Sequence, residues 1–261
     1  MVDPQAEPSP QVYARAGGLL YLIIIVAGAF GELFVRDKIV VPGDAMATAS
    51  NIMASPLLWR IGIVGDLIMH VCDVPLMIIF YVLLRPVNRN LARLALLFNL
   101  IQTAVLVANT LKLLMPLFLL GSSDYLKGIE PRQLHALSYL FIRLHGYGFG
   151  VGLIFFGFTC LVLGYLIFRS GYLPKVLGVL MQIAGLCYLT NSFTLLLAPA
   201  IAGRMFPFIL VPAFVAELSL CLWLLTKGVN VETWRVQARR PAASPGGEAA
   251  WGSRVEDRLS C

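Results

Sequence analysis

Residues 57–84 read LLWRIGIVGDLIMHVCDVPLMIIFYVLL. A run of about 20 apolar residues spans the hydrocarbon core of a bilayer as a helix, and this run is longer. Inside it sit Asp66, His70 and Asp73. An ionisable group at the bilayer centre costs ~2.5 kcal/mol or more unless it faces a partner or a water-filled space. A helix turns about 100° per residue, so positions i, i+4 and i+7 fall within about 60° of one another. Trp59, Gly62 and Met77 continue the same stripe. Pro75 removes the hydrogen bond to residue 71, which places a kink beside His70. The segment is a membrane helix with one polar stripe, and that stripe has to meet neighbours.

Five more runs have the same character: 16–34, 91–120, about 140–168, 173–197 and 206–225. The composition agrees. Of 261 residues 59% are hydrophobic and only 13% charged, about half the charged share of a soluble domain. The mean hydropathy is +0.81. The fold class is therefore all-α, a polytopic bundle of six transmembrane helices. Several runs exceed a perpendicular span, so they tilt or extend beyond the hydrocarbon. The first run has one basic residue before it, Arg15, and contains Glu32. It reads as a retained helix rather than a signal peptide. Residues 1–13 and 228–261 are rich in Pro, Gly, Ala and charge and read as disordered tails flanking a membrane domain over 14–227. The stretch ATASNIMAS, residues 47–55, reads as a short interfacial helix.

Lysine and arginine cluster on one side of the six runs. Arg15, Arg85, Arg89, Arg93, Arg169, Lys175, Lys227, Arg235, Arg239 and Arg240 share the side of the termini. The other side mixes Arg36, Lys38, Lys127, Arg132 and Arg204 with acids. Both termini are thus expected in the cytoplasm of a cell with the protein in its cytoplasmic membrane. The formal charge of +6 follows from this bias and calls for no nucleic acid. The lipid bilayer is the expected partner, and the oligomeric state stays open.

Residues 143–157 read RLHGYGFGVGLIFFG. Glycine at every second position becomes two stripes on a helix: Gly146 and Gly150 below Arg143, and Gly148 and Gly152 below His145. Small residues let membrane helices approach closely. The fourth run is therefore expected to be central, with neighbours on both sides.

Further polar residues within the runs are Glu32, Asn99, Gln102, Asn109, Lys112, Asn191 and Glu217. Of these Glu32, Asn109, Lys112, Asn191 and Glu217, with Asp66, His70, Asp73, Arg143 and His145, give two readings. Either the charges pair and hold the bundle together, or they line a polar cavity in the outer half that binds a small molecule of unknown identity. In both, Lys112 and Arg143 are expected to meet carboxylates, and for Arg143 the order is Asp66, Glu32, Glu217. An Asp–His pair can share a proton, so an intramembrane enzyme centred on Asp66, His70 and His145 is the alternative, and a partner subunit of a complex is another. No HExxH, GxSxG or Walker pattern is present. The five cysteines show no metal-finger spacing. No metal and no cofactor are expected.

The segments ARAGGLLYLIIIVAGAFGELFVRDKIVVPGD, CDVPLMIIFYVLLRPVNR, LHGYGFGVGLIFFGFTCLVLGYLIFRSGYLPKVLGVL and PAFVAELSLCLWLLTKGVNVETW occur in that order over residues 13–234. They resemble domain-of-unknown-function family 4386, a family of bacterial multi-pass membrane proteins. The resemblance implies a bacterial integral membrane protein and assigns a role to no residue.

Overall fold

A computed structural model of the chain describes residues 9–121 and 124–239. Six helices are long and apolar enough to cross a membrane. They are α1 (Pro10–Ile39), α3 (Pro56–Leu84), α4 (Arg89–Leu119), α5 (Pro131–Ser170), α6 (Lys175–Leu197) and α8 (Val211–Thr226, preceded by a 3₁₀ turn at Phe208–Leu210). Shorter helices are α2 (Ala45–Ala54), α7 (Pro199–Met205) and α9 (Val231–Ala238). The protein is a multi-pass membrane protein with an all-α fold.

Local sequence sets the helix ends. Pro10, Pro56 and Pro131 open α1, α3 and α5, where their missing N–H costs nothing. Asp44, Asn88 and Asn230 accept backbone N–H groups in the first turns of α2, α4 and α9. Gly171, at φ 70°, ends α5 in the left-handed region. Forty residues make α5 about 60 Å long. Its first turns therefore stand beyond a hydrocarbon core of about 30 Å, where they pack against α2.

The six spans close into a ring. Each packs on its sequence neighbours, and α8 returns to pack on α1. Small residues make the tightest seams. A Cβ on Gly18 would stand 2.7 Å from the backbone nitrogen of Leu225, and the Cys221 thiol meets the Gly18 carbonyl at 3.4 Å. Between α5 and α6, Gly164 faces the Gly178 carbonyl and Gly185 faces the Gly157 carbonyl, with a Cβ at 2.6 and 2.7 Å. These pairs sit at seven-residue spacing on antiparallel helices, so the seam stays in register over one heptad step. The outer wall is apolar, with Val71, Leu97 and Leu111 more than half exposed, as a lipid-facing surface requires.

The start of α1 and the end of α8 share one face, here the terminal face; the opposite one is the distal face. On the terminal face the Leu83 carbonyl, left free at the end of α3, accepts from the Tyr172 hydroxyl at 2.6 Å and from Trp234 Nε1 at 2.9 Å. Burial pushes the Tyr172 phenol above its usual range. Gln237 donates to the Ser170 carbonyl, and Gln11 ties the start of α1 to Lys227 and Val229. The expected tails are corrected here. Residues 10–13 are already helix and 231–238 form α9, because Trp234 and Gln237 find free helix-end carbonyls to satisfy. The remainder, 1–8 and 240–261, lies outside the described residues.

Candidate functional site

The polar stripe of α3 meets the other helices in two layers. In the distal layer the cation is Arg36, at the end of a π-helical segment, Phe30–Arg36, that carries the last turns of α1. Its Nε donates to Glu32 Oε2 at 2.6 Å and its Nη1 to Asp66 Oδ2 at 2.7 Å, with Nη2 at 3.4 Å from Asp66 Oδ1. Asp66 is 5% exposed at its side chain, Arg36 16% and Glu32 47%. Gly31 makes the space: a Cβ there would stand 2.8 Å from Asp66 Oδ1. π-helical segments recur at functional sites because the extra residue in the turn re-aims side chains. Sequence reading placed Arg36 in the distal loop and missed it. Its signal was the Glu–x–x–x–Arg spacing with Glu32, which puts both on one helix face.

Beside this pair, Lys112 Nζ donates to Asn109 Oδ1 at 2.7 Å, and Asn109 Nδ2 donates to the His145 carbonyl at 2.8 Å. Gly148 leaves room for both side chains. A Cβ on it would overlap Asn109 Oδ1 at 1.9 Å and approach Lys112 Nζ to 2.9 Å. The His145 ring is buried, lies against Phe149, and stands within electrostatic reach of Arg36, Lys112 and His70. His70 is buried as well. Neither imidazole has a side-chain hydrogen bond among the described residues.

Three expectations are corrected. Lys112 meets an amide, not a carboxylate. His70 pairs with neither Asp66 nor Asp73, because Arg36 holds the first and Asn99 and Thr103 hold the second; the Asp–His centre of the enzyme reading does not form. Among the described residues no three His, Cys, Asp or Glu side chains gather as metal ligands. Arg143 has no acidic partner among the described residues. It lies two residues from His145, about 200° round the helix. With His145 inward, Arg143 points outward, along a groove of about 430 Å³ lined by Ala136, Tyr139, Leu140, Leu144 and Tyr147.

The middle layer is built differently. Asp73 Oδ2 accepts from Asn99 Nδ2 at 2.7 Å and lies 2.5 Å from the Thr103 hydroxyl. Glu217 Oε1 accepts from the Tyr188 hydroxyl, and the Tyr21 hydroxyl lies beside the same carboxylate. Asp73 and Glu217 are within electrostatic reach of each other, and Cys160 of both. Asn191 is buried on α6, one turn from Tyr188, with no side-chain hydrogen bond of its own among the described residues. Thr103, Tyr188 and Tyr21 carried no sequence signal, since single hydroxyls in apolar runs are ordinary packing residues.

The glycine stripes of α5 divide between two neighbours. Gly150 faces Leu195 of α6, whereas Gly148 and Gly152 face Asn109 and Leu106 of α4. Gly146 faces nothing within 4 Å and makes no close packing contact. A second groove, about 510 Å³ and almost wholly apolar, lies between α3 and α4 and is lined by Ile63, Leu100, Thr103 and Val107 among others.

An Archaeoglobus fulgidus protein described as an uncharacterized protein is 28% identical over 166 residues, 64% of this chain and 83% of its own length. No solved structure matches. Residues 16–228, which run from the first span through the last, match the family described as Domain of unknown function (DUF4386), and the chain belongs to that family.

Proposed function

We propose that the chain binds a small polar molecule in the distal half of the ring, as a transport-like or sensor protein of the cytoplasmic membrane with both termini inside the cell. The observation that supports this is the set of uncommitted polar groups at one place. Lys112 Nζ meets one acceptor, Asn109, with three hydrogens to give. His70 and His145 are buried residues whose imidazoles make no hydrogen bond among the described residues, and Arg36 stands close to His145. In a membrane interior, polar groups that no protein atom satisfies mark substrate paths and water-filled cavities. The helix α2 lies over this end and buries its own Thr48, Ala49 and Ile52 against it. It is anchored by three polar contacts: Tyr139 accepts from the Gly43 amide, Thr48 from the Val41 amide, and the Ile39 carbonyl accepts from Asn51. Its release would open the layer to the distal side.

Native mass spectrometry of the protein released from its own membranes tests the reading. The wild type is expected to carry a co-purifying small molecule that Lys112→Met and His145→Ala lose while remaining folded. Wild type and variants that are equally bare favour the scaffold reading, in which the Arg36 network only holds α1 to α3. A C-terminal alkaline phosphatase fusion that is active outside the cell overturns the orientation.

A further inference from the structure

The middle layer has an excess of oxygen atoms and lacks positive charge. Asp73 and Glu217 each have 9% exposure and face the same interior. Neither makes an ion pair among the described residues. Among the described residues the titratable groups that reach them are Tyr21 from α1, Cys160 from α5 and Tyr188 from α6; no lysine, arginine or histidine is among these. The groups that touch the carboxylates, the Asn99 amide and the Thr103 and Tyr188 hydroxyls, do so as donors. That arrangement uses up donors and leaves acceptors over. Among the described residues Asn99 Oδ1 and Gln102 Oε1 on α4 are buried with no hydrogen-bond partner. Asn99 is 1% exposed. Its Oδ1 shares a carbon with the amide nitrogen bound to Asp73, so this orphan acceptor stands at the carboxylate.

An unsatisfied acceptor in an apolar interior costs on the order of 1–3 kcal/mol, and an uncompensated carboxylate more. One hard cation removes both deficits, because such ions take carboxylate, amide and hydroxyl oxygens as ligands. We propose that Asp73 anchors a monovalent-cation site of the sodium class, with Asn99 Oδ1 and Thr103 Oγ1 as neutral ligands and Glu217 as the second carboxylate across the interior. The site is separate from the distal layer and stands whether or not an organic ligand binds there.

The full chain purified in detergent provides the test. Thermal unfolding is followed in sodium chloride and in choline chloride at equal ionic strength and pH. Sodium raises the Tm saturably, by several degrees. Asp73→Asn abolishes the sodium effect, Asn99→Ala weakens it, and Lys112→Met in the distal layer retains it. The same Tm in both salts, or a sodium effect that survives Asp73→Asn unchanged, overturns the proposal. Should Asp73→Asn fail to fold, the wild type alone decides. A hydrophobic carbodiimide, which attacks protonated carboxyls in apolar surroundings, is expected to label Asp73 in choline and to be blocked by sodium. Equal labelling in both salts means that the carboxyl carries a proton, and the cation site is then rejected.

Discussion

The distal and middle layers solve one problem in opposite ways. Both bury carboxylates between helices of a membrane ring. In the distal layer Arg36 sits between Glu32 and Asp66, so charge meets charge, and Glu32 remains half open. In the middle layer Asp73 and Glu217 meet only hydroxyls and an amide. In the first the carboxylates themselves are fully paired by Arg36. In the second an acceptor is left unpaired at the carboxylate itself. A count of charged residues on the helices does not separate the two; the donor and acceptor inventory does.

The contrast can be broken most directly at Arg36. Arg36→Met leaves Asp66 buried without its cation, and a loss of about 3–5 kcal/mol of stability is expected. Arg36→Met with Asp66→Leu should regain most of it, read by thermal unfolding in detergent. A single variant as stable as the wild type would show that the distal layer is not held by charge. Gly148→Ala comes next. The new methyl group evicts Asn109 from its place, disturbing the bonds to Lys112 and the His145 carbonyl. A cost of about 1–3 kcal/mol follows. Gly146→Ala, with open space at that position, serves as the control, and equal behaviour of the two would remove Gly148 from the distal layer.

Tyr188→Phe sharpens the comparison from the other side. It removes one donor from Glu217 and should cost about 1 kcal/mol, well below the Arg36 effect. A loss as large as that of Arg36→Met would mean that the middle layer is the structural one. Arg143→Met should be the mildest. Its side chain lines the outer groove of α5 without a carboxylate, so stability should stay within about 0.5 kcal/mol of the wild type. A larger drop in folded yield would indicate that the guanidinium has a partner in the membrane.

Much of this was legible in the sequence. The six spans follow from apolar run length, and the inward stripe of α3 follows from helical periodicity, because Asp66, His70 and Asp73 cannot all face lipid. All three are buried, with Trp59, Gly62 and Met77 beside them. The division of the α5 glycines between two neighbours follows from the same periodicity. The heptad pairing of Gly157 and Gly164 with Gly185 and Gly178 was also present in the spacing, although nothing in one chain marks which two helices share a seam.

The partners were not legible. Arg143 and Arg36 are both arginines at the distal ends of apolar runs, and only the rotation of each helix decides which one reaches Asp66. A two-residue offset reverses the face, so His145 goes inward and Arg143 outward. Thr103 and Tyr188 hold the middle carboxylates only because the ring order brings α4 against α3 and α6 against α8. Sequence alone determined that the chain crosses a membrane and that the polar stripe of α3 turns inward, since both are properties of single helices. Tertiary structure decided which charges meet and which acceptors stay unpaired, since these depend on the distances between helices that the chain itself separates.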